Sequence, residues 1–277
     1  MSVFSIKRPK IGLALGGGGA RGFAHLGACK AFEEFGIKFD YICGTSVGSL
    51  VGAFLADGKT YDEMYAIAKK LKAKDIKNSK MFFLPSSTEG LQDIIDKNIS
   101  VKNIQDLKTE YSCVAVDLIS TKECVLTKGE LKSAVAASCS VPGVFEPVII
   151  GKKLFCDGGL QDTIPAIVPK MMGCDYVVSV DVNPQRLYGT DSSKVFDVLA
   201  CTIRILMQNN AEKGYKYSDV MIKPDTKRFK STKTENMDEL ISEGYNATID
   251  QIAFIKKLFN QKRKRHRNLN TANIDII

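Results

Sequence analysis

The chain has 277 residues, of which 44% are hydrophobic and 25% charged, a balance that is ordinary for a globular protein with a sizeable core. The formal net charge is +8, but residues 256–277 hold seven Lys or Arg and one Asp, a net of +6, so the other 255 residues carry only +2. This distribution argues against a nucleic-acid partner, and no window approaches the roughly 20 apolar residues of a membrane-spanning helix. The short apolar run at the N-terminus is not of secretory length and predicts a cytoplasmic protein.

The basic C-terminal segment has two interpretations. Clustered Lys and Arg residues are attracted to anionic lipid by about 1 kcal/mol each, which would allow peripheral membrane contact. A solvated, frayed tail fits the same composition. Because no repeat or long linker interrupts the chain, we expect a single domain over residues 1–259 followed by a flexible basic tail, 260–277.

The eight cysteines are scattered singly, and several lie inside strand-like apolar runs. This usage is typical of buried free thiols in a reducing compartment, and it fits neither a disulfide framework nor a metal site. The sequence also has no acidic loop with the spacing of calcium ligands, and we expect no metal and no organic cofactor.

Strand-length apolar runs alternate with helix-length amphipathic stretches along the chain. Strands are predicted at 10–15, 39–44, 111–118, 122–127, 174–183 and 218–224, with two further strands about a Gly-Lys turn in 147–159. Helices are predicted at 21–36, 49–58, 60–73, 129–140 and 194–213, and residues 237–259 close the fold. This alternation predicts an α/β protein, a three-layer α/β/α sandwich around a mainly parallel sheet, with its chemistry at the carboxyl ends of the strands.

The sequence "GTSVG" (44–48) joins a predicted strand to a predicted helix. A G-x-S-x-G turn in this context is a nucleophile elbow, in which Gly44 and Gly48 make room for a strained turn that exposes the Ser46 hydroxyl. The helix N-terminus beside it favours a developing alkoxide. Ser46 is therefore a candidate nucleophile.

A second glycine-rich strand end lies upstream, at "GGGGARG" (16–22). Consecutive glycines before a helix leave backbone N–H groups free to hold an anion, either a phosphate or the oxyanion of an acyl-transfer intermediate. Gly17, Gly19 and Gly22 also match a dinucleotide-binding pattern, but the acid that should close the next strand is missing. A nucleotide- or phosphate-binding protein that uses the Gly17–Gly22 loop therefore stays as an alternative.

A serine nucleophile needs a base, and the chain has two histidines. His266 lies within the basic segment "KRKRHRN", and His25 on the helix after the glycine loop is better suited to a structural role. Asp157 ends a predicted strand and is followed by Gly158 and Gly159. A buried carboxylate there can accept the serine proton, since burial raises its pKa toward a useful value.

These segments together resemble the patatin-like phospholipase family, in particular its short bacterial-type members. "GGGGARG", "GTSVG" and "DGG" (157–159) occur in the family's order, and "SCSVPGVFEPV" (138–148) resembles its small-residue segment. The resemblance covers about residues 10–185. It implies a three-layer α/β/α fold and the hydrolysis of acyl esters of phospholipids or lysophospholipids through a Ser-Asp dyad.

The resemblance also implies a role for each matched position. Ser46 would be the nucleophile and Asp157 the base. The oxyanion-hole loop would consist of Gly17, Gly18, Gly19 and Arg21. Arg21 would either supply positive charge near a lipid phosphate or serve a structural role.

Two further alternatives remain at this stage. The scaffold can bind lipid or a partner without catalysis, and no oligomeric state is indicated.

The segment "NSKMFFLPSSTEG" (78–90) fits either an exposed lid or a part of the core that caps the sheet, and the rarity of exposed apolar patches favours the core.

Overall fold

The computed structural model describes residues 8–70, 87–183, 192–230, 234–262, 269, 271 and 273–277. Its strands are β1 (Ile11–Leu15), β2 (Tyr41–Thr45), β3 (Glu110–Asp117), β4 (Lys122–Leu126), β5 (Val148–Ile150), β6 (Lys153–Asp157), β7 (Tyr176–Val180), β8 (Val220–Ile222) and β9 (Ile274–Ile276). Its α-helices are α1 (Phe23–Glu34), α2 (Val47–Ala56), α3 (Tyr61–Lys70), α4 (Glu89–Asn98), α5 (Leu131–Cys139), α6 (Ile167–Met171), α7 (Val195–Tyr217), α8 (Met237–Ile249) and α9 (Ile252–Phe259). Short 3-10 helices lie at Gly19–Gly22, Ile104–Asp106 and Gly158–Leu160.

All nine strands belong to one mixed sheet. Its main path runs β5-β6-β3-β2-β1-β7-β8, and β4 pairs with both β3 and β9. From β3 through β2, β1 and β7 to β8, each strand is parallel to its neighbour. The pairs β3–β4, β3–β6 and β5–β6 are antiparallel. The predicted α/β class with a mainly parallel sheet is confirmed.

Helices cover the sheet on both faces, which explains why the central strands are continuous apolar runs. Every residue of β1, β2 and β7 is buried, as expected for strands that are covered on both sides. The larger core joins Leu13 and Leu15 to side chains of α1, α2 and α5. On the other face, Val114 packs with Ile167 and Val168 of α6.

Strands β2 and β6 approach each other end to end along the same side of β3. Strand β2 runs parallel to β3, and its last residue, Thr45, pairs with Val114. Strand β6 runs antiparallel to β3, and its last residue, Asp157, pairs with Ala115. Because β4 occupies the opposite side of β3 over the same residues, the carboxyl ends of β2 and β6 meet. The register of one strand thus brings two distant loops together.

Three described elements were not predicted: α4, α6 and β9. Residues Ile274–Ile276 pair in parallel with β4, and Ile277 N donates to Val125 O at 2.9 Å. The expectation of a flexible tail is therefore wrong for these last residues, because an open edge of β4 provides them with backbone partners. The basic residues 263–268 and most of the proposed lid, 78–86, lie outside the described residues.

The cysteines agree with the prediction from their spacing. All eight are free and buried. Burial raises the pKa of Cys29 and of Cys113 to about 12, so both thiols stay protonated at neutral pH. Within the described ranges, no helix is long and apolar enough to cross a bilayer, and no group of three or more His, Cys, Asp or Glu side chains is placed to hold a metal.

Candidate active site

Ser46 occupies a strained turn between β2 and α2. Its backbone has φ 53° and ψ −129°, a region that residues with a side chain rarely adopt and that is maintained only by the surrounding structure. A Cβ at Gly44 would lie 2.3 Å from the carbonyl oxygen of Gly48, and one at Gly48 would lie 2.1 Å from that of Leu15. Both glycines are therefore required by the close approach of three backbone segments, in the geometry that the sequence predicts for an elbow.

The C-terminal end of α5 holds the elbow and the Asp157 loop together. The Ser46 amide donates to the Ser138 hydroxyl at 3.0 Å. Two residues further on, the Ser140 carbonyl accepts a hydrogen bond from the Asp157 amide at 2.9 Å. Ser138 and Ser140 are both buried. One short segment therefore sets the backbone positions of both candidate residues.

Asp157 is completely buried at the end of β6. Its Oδ1 accepts a hydrogen bond from the Gly159 amide at 2.8 Å. Burial raises the pKa of Asp157 from 3.8 to about 6, an effect that hydrogen bonding to the Ser46 side chain and to the Gly159 backbone reduces. The carboxyl is therefore largely ionised at pH 7 and has a pKa within the range useful for a general base.

The side chains of Ser46 and Asp157 face each other in a loose contact. The interaction with Ser46 lowers the pKa of Asp157, yet Asp157 Oδ2 has no hydrogen-bond partner of regular distance and angle among the described residues. Hydrogen bonds between catalytic groups are often long or bent in the absence of substrate and shorten in the substrate complex. The buried Oδ2 thus keeps an unused acceptor position on a carboxyl group that interacts with Ser46.

The glycine loop after β1 lies against the elbow. A Cβ at Gly17 would be 3.3 Å from that of Ser46. The Gly17 amide donates to Thr163 O at 3.0 Å, and the Arg21 amide donates to Gly18 O at 3.3 Å. Within the part of the chain that the structure describes, the N–H groups of Gly18 and Gly19 donate no hydrogen bond. Of the four residues expected in an oxyanion hole, these two have backbone donors without a partner among the described residues.

Arg21 is buried, and its guanidinium group is bound within the protein. Nε donates to Phe229 O at 2.8 Å, and Nη1 donates to Asn183 Oδ1 at 2.7 Å. Asn183 in turn donates through Nδ2 to Gly17 O at 2.8 Å. This chain of contacts connects the glycine loop to the residues after β7 and β8. Of the two roles expected for Arg21, the geometry favours the structural one.

His25 lies on α1 below the glycine loop and is completely buried. Its Nε2 is 2.7 Å from Gly16 O, so this nitrogen carries the proton and donates. Burial lowers the pKa of His25 from 6.5 to about 4, which leaves the ring neutral at pH 7. His266 lies outside the described residues. His25 supports the loop, and the titratable group that interacts with the Ser46 side chain is the carboxyl of Asp157.

The fold and the site together define an α/β protein with a serine at a strained strand–helix turn, facing a buried carboxylate beside a glycine loop. The sequence model of patatin-like phospholipases matches residues 13–169. The chain therefore belongs to the patatin-like phospholipase family.

Individual relatives agree with this assignment. The chain is 33% identical over 182 residues to an uncharacterised NTE family protein of Mycobacterium tuberculosis, covering 63% of this chain and 49% of that protein. It is 36% identical over 181 residues to lysophospholipase NTE1 of Eremothecium gossypii, covering 62% of this chain and 12% of the fungal protein. The chain thus spans about half the length, or less, of these relatives.

A solved structure shares the fold. VipD from Legionella pneumophila superposes with a TM-score of 0.60 at 14% sequence identity, over 92% of this chain and 67% of that chain. At this low identity the likeness concerns the architecture alone. It agrees with the three-layer arrangement around a mainly parallel sheet.

Sequence reasoning did not identify the residues that fix the site from outside the motifs. Ser138 and Ser140 lie in the small-residue segment 138–148. The composition of this segment is recognisable in the sequence, but the hydrogen bonds of its two serines cannot be predicted from it. Asn183 and Thr163, which hold the glycine loop, follow strand ends without a distinctive pattern. Their partners become evident only once the strands are placed side by side.

Proposed function

We propose that the protein is a serine acyl-ester hydrolase that acts on lipids, of the phospholipase A or lysophospholipase type. The observation that carries the proposal is the end-to-end meeting of β2 and β6, which places Ser46 beside the buried Asp157 carboxylate. The membership of the family supports a lipid ester as the substrate class, as does the name of the fungal relative, a lysophospholipase.

The first stage is the transfer of the acyl group to the enzyme. Asp157 takes the proton of the Ser46 hydroxyl as Oγ bonds to the ester carbonyl carbon, and the carbonyl electron pair moves onto its oxygen. The carbonyl then re-forms, the ester C–O bond breaks, and the leaving alcohol takes the proton from Asp157. The fatty acyl group remains on Ser46.

The second stage releases the fatty acid. Asp157 takes a proton from water as the water oxygen bonds to the acyl carbon. The bond to Ser46 Oγ then breaks, and Ser46 recovers its proton from Asp157. No histidine takes part in either stage, which agrees with the neutral, loop-bound state of His25.

The oxyanion formed in both stages needs donors, and we assign them to the glycine loop. Gly18 and Gly19, whose N–H groups donate no hydrogen bond among the described residues, directly follow Gly17, which packs against Ser46. The N-terminus of α2, where Ser46 is the capping residue, adds a favourable dipole. Preorganised donors of this kind contribute about 10²–10³ in kcat each in hydrolases.

Covalent labelling tests the proposal. A fluorophosphonate should label the protein at Ser46, and p-nitrophenyl butyrate should be hydrolysed. Ser46→Ala should abolish both, and Asp157→Asn should reduce both by several orders of magnitude. Ser242→Ala and Asp93→Asn, at exposed positions, are the matched controls. Labelling or hydrolysis that survives in Ser46→Ala would contradict the proposal.

The phosphate-binding alternative has less support. A phosphate cradle needs a cation beside the loop donors, but the guanidinium group of Arg21 already donates hydrogen bonds within the protein. We further propose that residues 1–259 act as one hydrolase domain in the cytoplasm, since the strands that carry the site share a single sheet and the buried cysteines are free.

A further inference from the structure

The first half of α7 has an exposed apolar outer face. This stripe consists of Val195, Val198, Leu199, Ile205 and Leu206, which are 75%, 44%, 56%, 52% and 49% exposed. At 3.6 residues per turn the five positions fall within about 120° of one helix face, and the exposed Thr202 lies among them on that face. Single exposed apolar residues are ordinary on proteins, but several on one face of a helix mark an interaction surface.

The apolar character of this face ends halfway along the helix. At the same helical spacing, the second half of α7 carries Asn209, Lys213 and Lys216. Lys213 donates to Glu123 Oε2 at 2.8 Å and so fastens this half to the body of the protein. The buried residues Ala211 and Gly214 lie on the opposite face. The exposed apolar side chains are therefore confined to the first half of the helix, where Cys201 on another face is buried.

The stripe lies on the side of the molecule where the candidate site opens. Helix α7 connects the carboxyl end of β7 to the start of the parallel strand β8, so it runs back along the sheet. Met207 is level with the loop after Asp157, because its carbonyl accepts from Thr163 Oγ1 and Asn210 Nδ2 donates to Leu160 O. At 1.5 Å per residue, Val195 therefore lies about 18 Å beyond Met207, past the catalytic edge.

We propose that the stripe on α7 inserts into a lipid surface and so brings the site to its substrate. The proposal rests on the proposed function, because a lipid ester in a membrane must enter from the carboxyl edge over which the stripe projects. A second copy of the chain fits less well: the stripe has five apolar residues, whereas a standard dimer interface involves about 20–30 residues of each partner. A helix with one apolar face lies naturally in a membrane interface.

Vesicle binding tests the proposal independently of catalysis. Flotation with phosphatidylcholine–phosphatidylglycerol vesicles would use the full chain carrying Ser46→Ala, so that no substrate is consumed. Leu199→Glu and Leu206→Glu, made singly, should each weaken binding at least about tenfold, since a charge would replace an apolar side chain in the interface. In the chain with Ser46 intact, both should hydrolyse soluble p-nitrophenyl butyrate within twofold of the wild type.

Phe254→Glu is the matched control. Phe254 is 56% exposed, as Leu199 is. It lies on α9, whose Lys256 contacts Phe35 at the end of α1, near the opposite edge of the sheet. This variant should bind vesicles like the wild type, and all three variants should keep the wild-type melting temperature because the positions are exposed.

Three results would overturn the proposal: an unmodified chain that does not bind these vesicles, equal binding by the stripe variants and Phe254→Glu, or a dimer that Leu199→Glu dissociates. Failure of the proposed function would look different. The unmodified chain would then hydrolyse no ester, while its vesicle binding would still depend on Leu199 and Leu206.

Discussion

The amide of Ser46 donates a hydrogen bond to the hydroxyl of Ser138 at 3.0 Å, across 92 residues of chain. The same helix end receives the Asp157 amide through Ser140 O. The distance between the proposed nucleophile and its base is therefore set by a third segment, which also satisfies a buried N–H group at a strained position.

Removal of the Ser138 hydroxyl is the first prediction. Ser138→Ala leaves the Ser46 amide without its acceptor in a buried environment, which should cost about 1–3 kcal/mol in the free energy of unfolding. It should also lower kcat for p-nitrophenyl butyrate, because the strained turn is less firmly held. Urea denaturation and steady-state kinetics measure the two effects. Ser133→Ala on the same helix is the control, and equal values for the two variants would contradict the assignment.

The pH dependence of hydrolysis should report Asp157. The base must be ionised, and burial raises its pKa to about 6. We expect kcat/KM to be constant above about pH 7 and to fall tenfold per pH unit well below pH 6. Rates at constant ionic strength between pH 4.5 and 8.5 test this. A profile without a change between pH 5 and 7 would exclude Asp157 as the base.

Asp157→Asn should stabilise the fold at neutral pH although it should abolish the proposed hydrolysis. The folded pKa is raised from 3.8 to about 6, so the neutral carboxyl is favoured in the folded state, and that stability is lost as the pH rises through 6. Above pH 6 the buried charge costs up to about 3 kcal/mol. The melting temperature of Asp157→Asn should exceed that of the wild type at pH 8 and match it near pH 4. A variant that is less stable than the wild type at pH 8 would contradict this explanation.

A substitution at Arg21 can distinguish a role in positioning the glycine loop from a role in binding the substrate phosphate. Lys keeps the charge but loses the planar fork that reaches both Phe229 O and Asn183 Oδ1. If Arg21 positions the glycine loop, Arg21→Lys should lower kcat/KM for p-nitrophenyl butyrate and for a lysophospholipid by the same factor. A loss confined to the phosphate-bearing substrate would instead assign Arg21 to the phosphate.

The basic tail can be tested without removing β9. Replacement of Lys262, Arg263, Lys264 and Arg265 by Gln removes four positive charges, each worth about 1 kcal/mol near an anionic membrane. Flotation with phosphatidylglycerol-rich vesicles at low salt should show weaker binding, and phosphatidylcholine vesicles should show no change. Equal binding to the anionic vesicles would leave the segment as a solvated tail.

The sequence by itself determined the local features of the site. The elbow around Ser46, the glycine loop and the Asp157 turn each depend on the conformational freedom and small size of glycine next to a strand end. Those requirements act over a few residues and can be read from a short pattern. Strand and helix alternation likewise reflects local periodicity, so the α/β class followed from it.

Only the tertiary structure decided which of these features meet. The contact between Ser46 and Asp157 depends on β2 and β6 ending at neighbouring residues of β3, and strand register is the outcome of long-range packing. Long-range packing also determines three other features. These are the hydrogen bond between Arg21 and Asn183, the hydrogen bond between Ser46 and Ser138, and the extension of α7 past the catalytic edge. Each joins residues whose separation in the chain leaves no local signal, because their free energy arises only when the sheet is assembled.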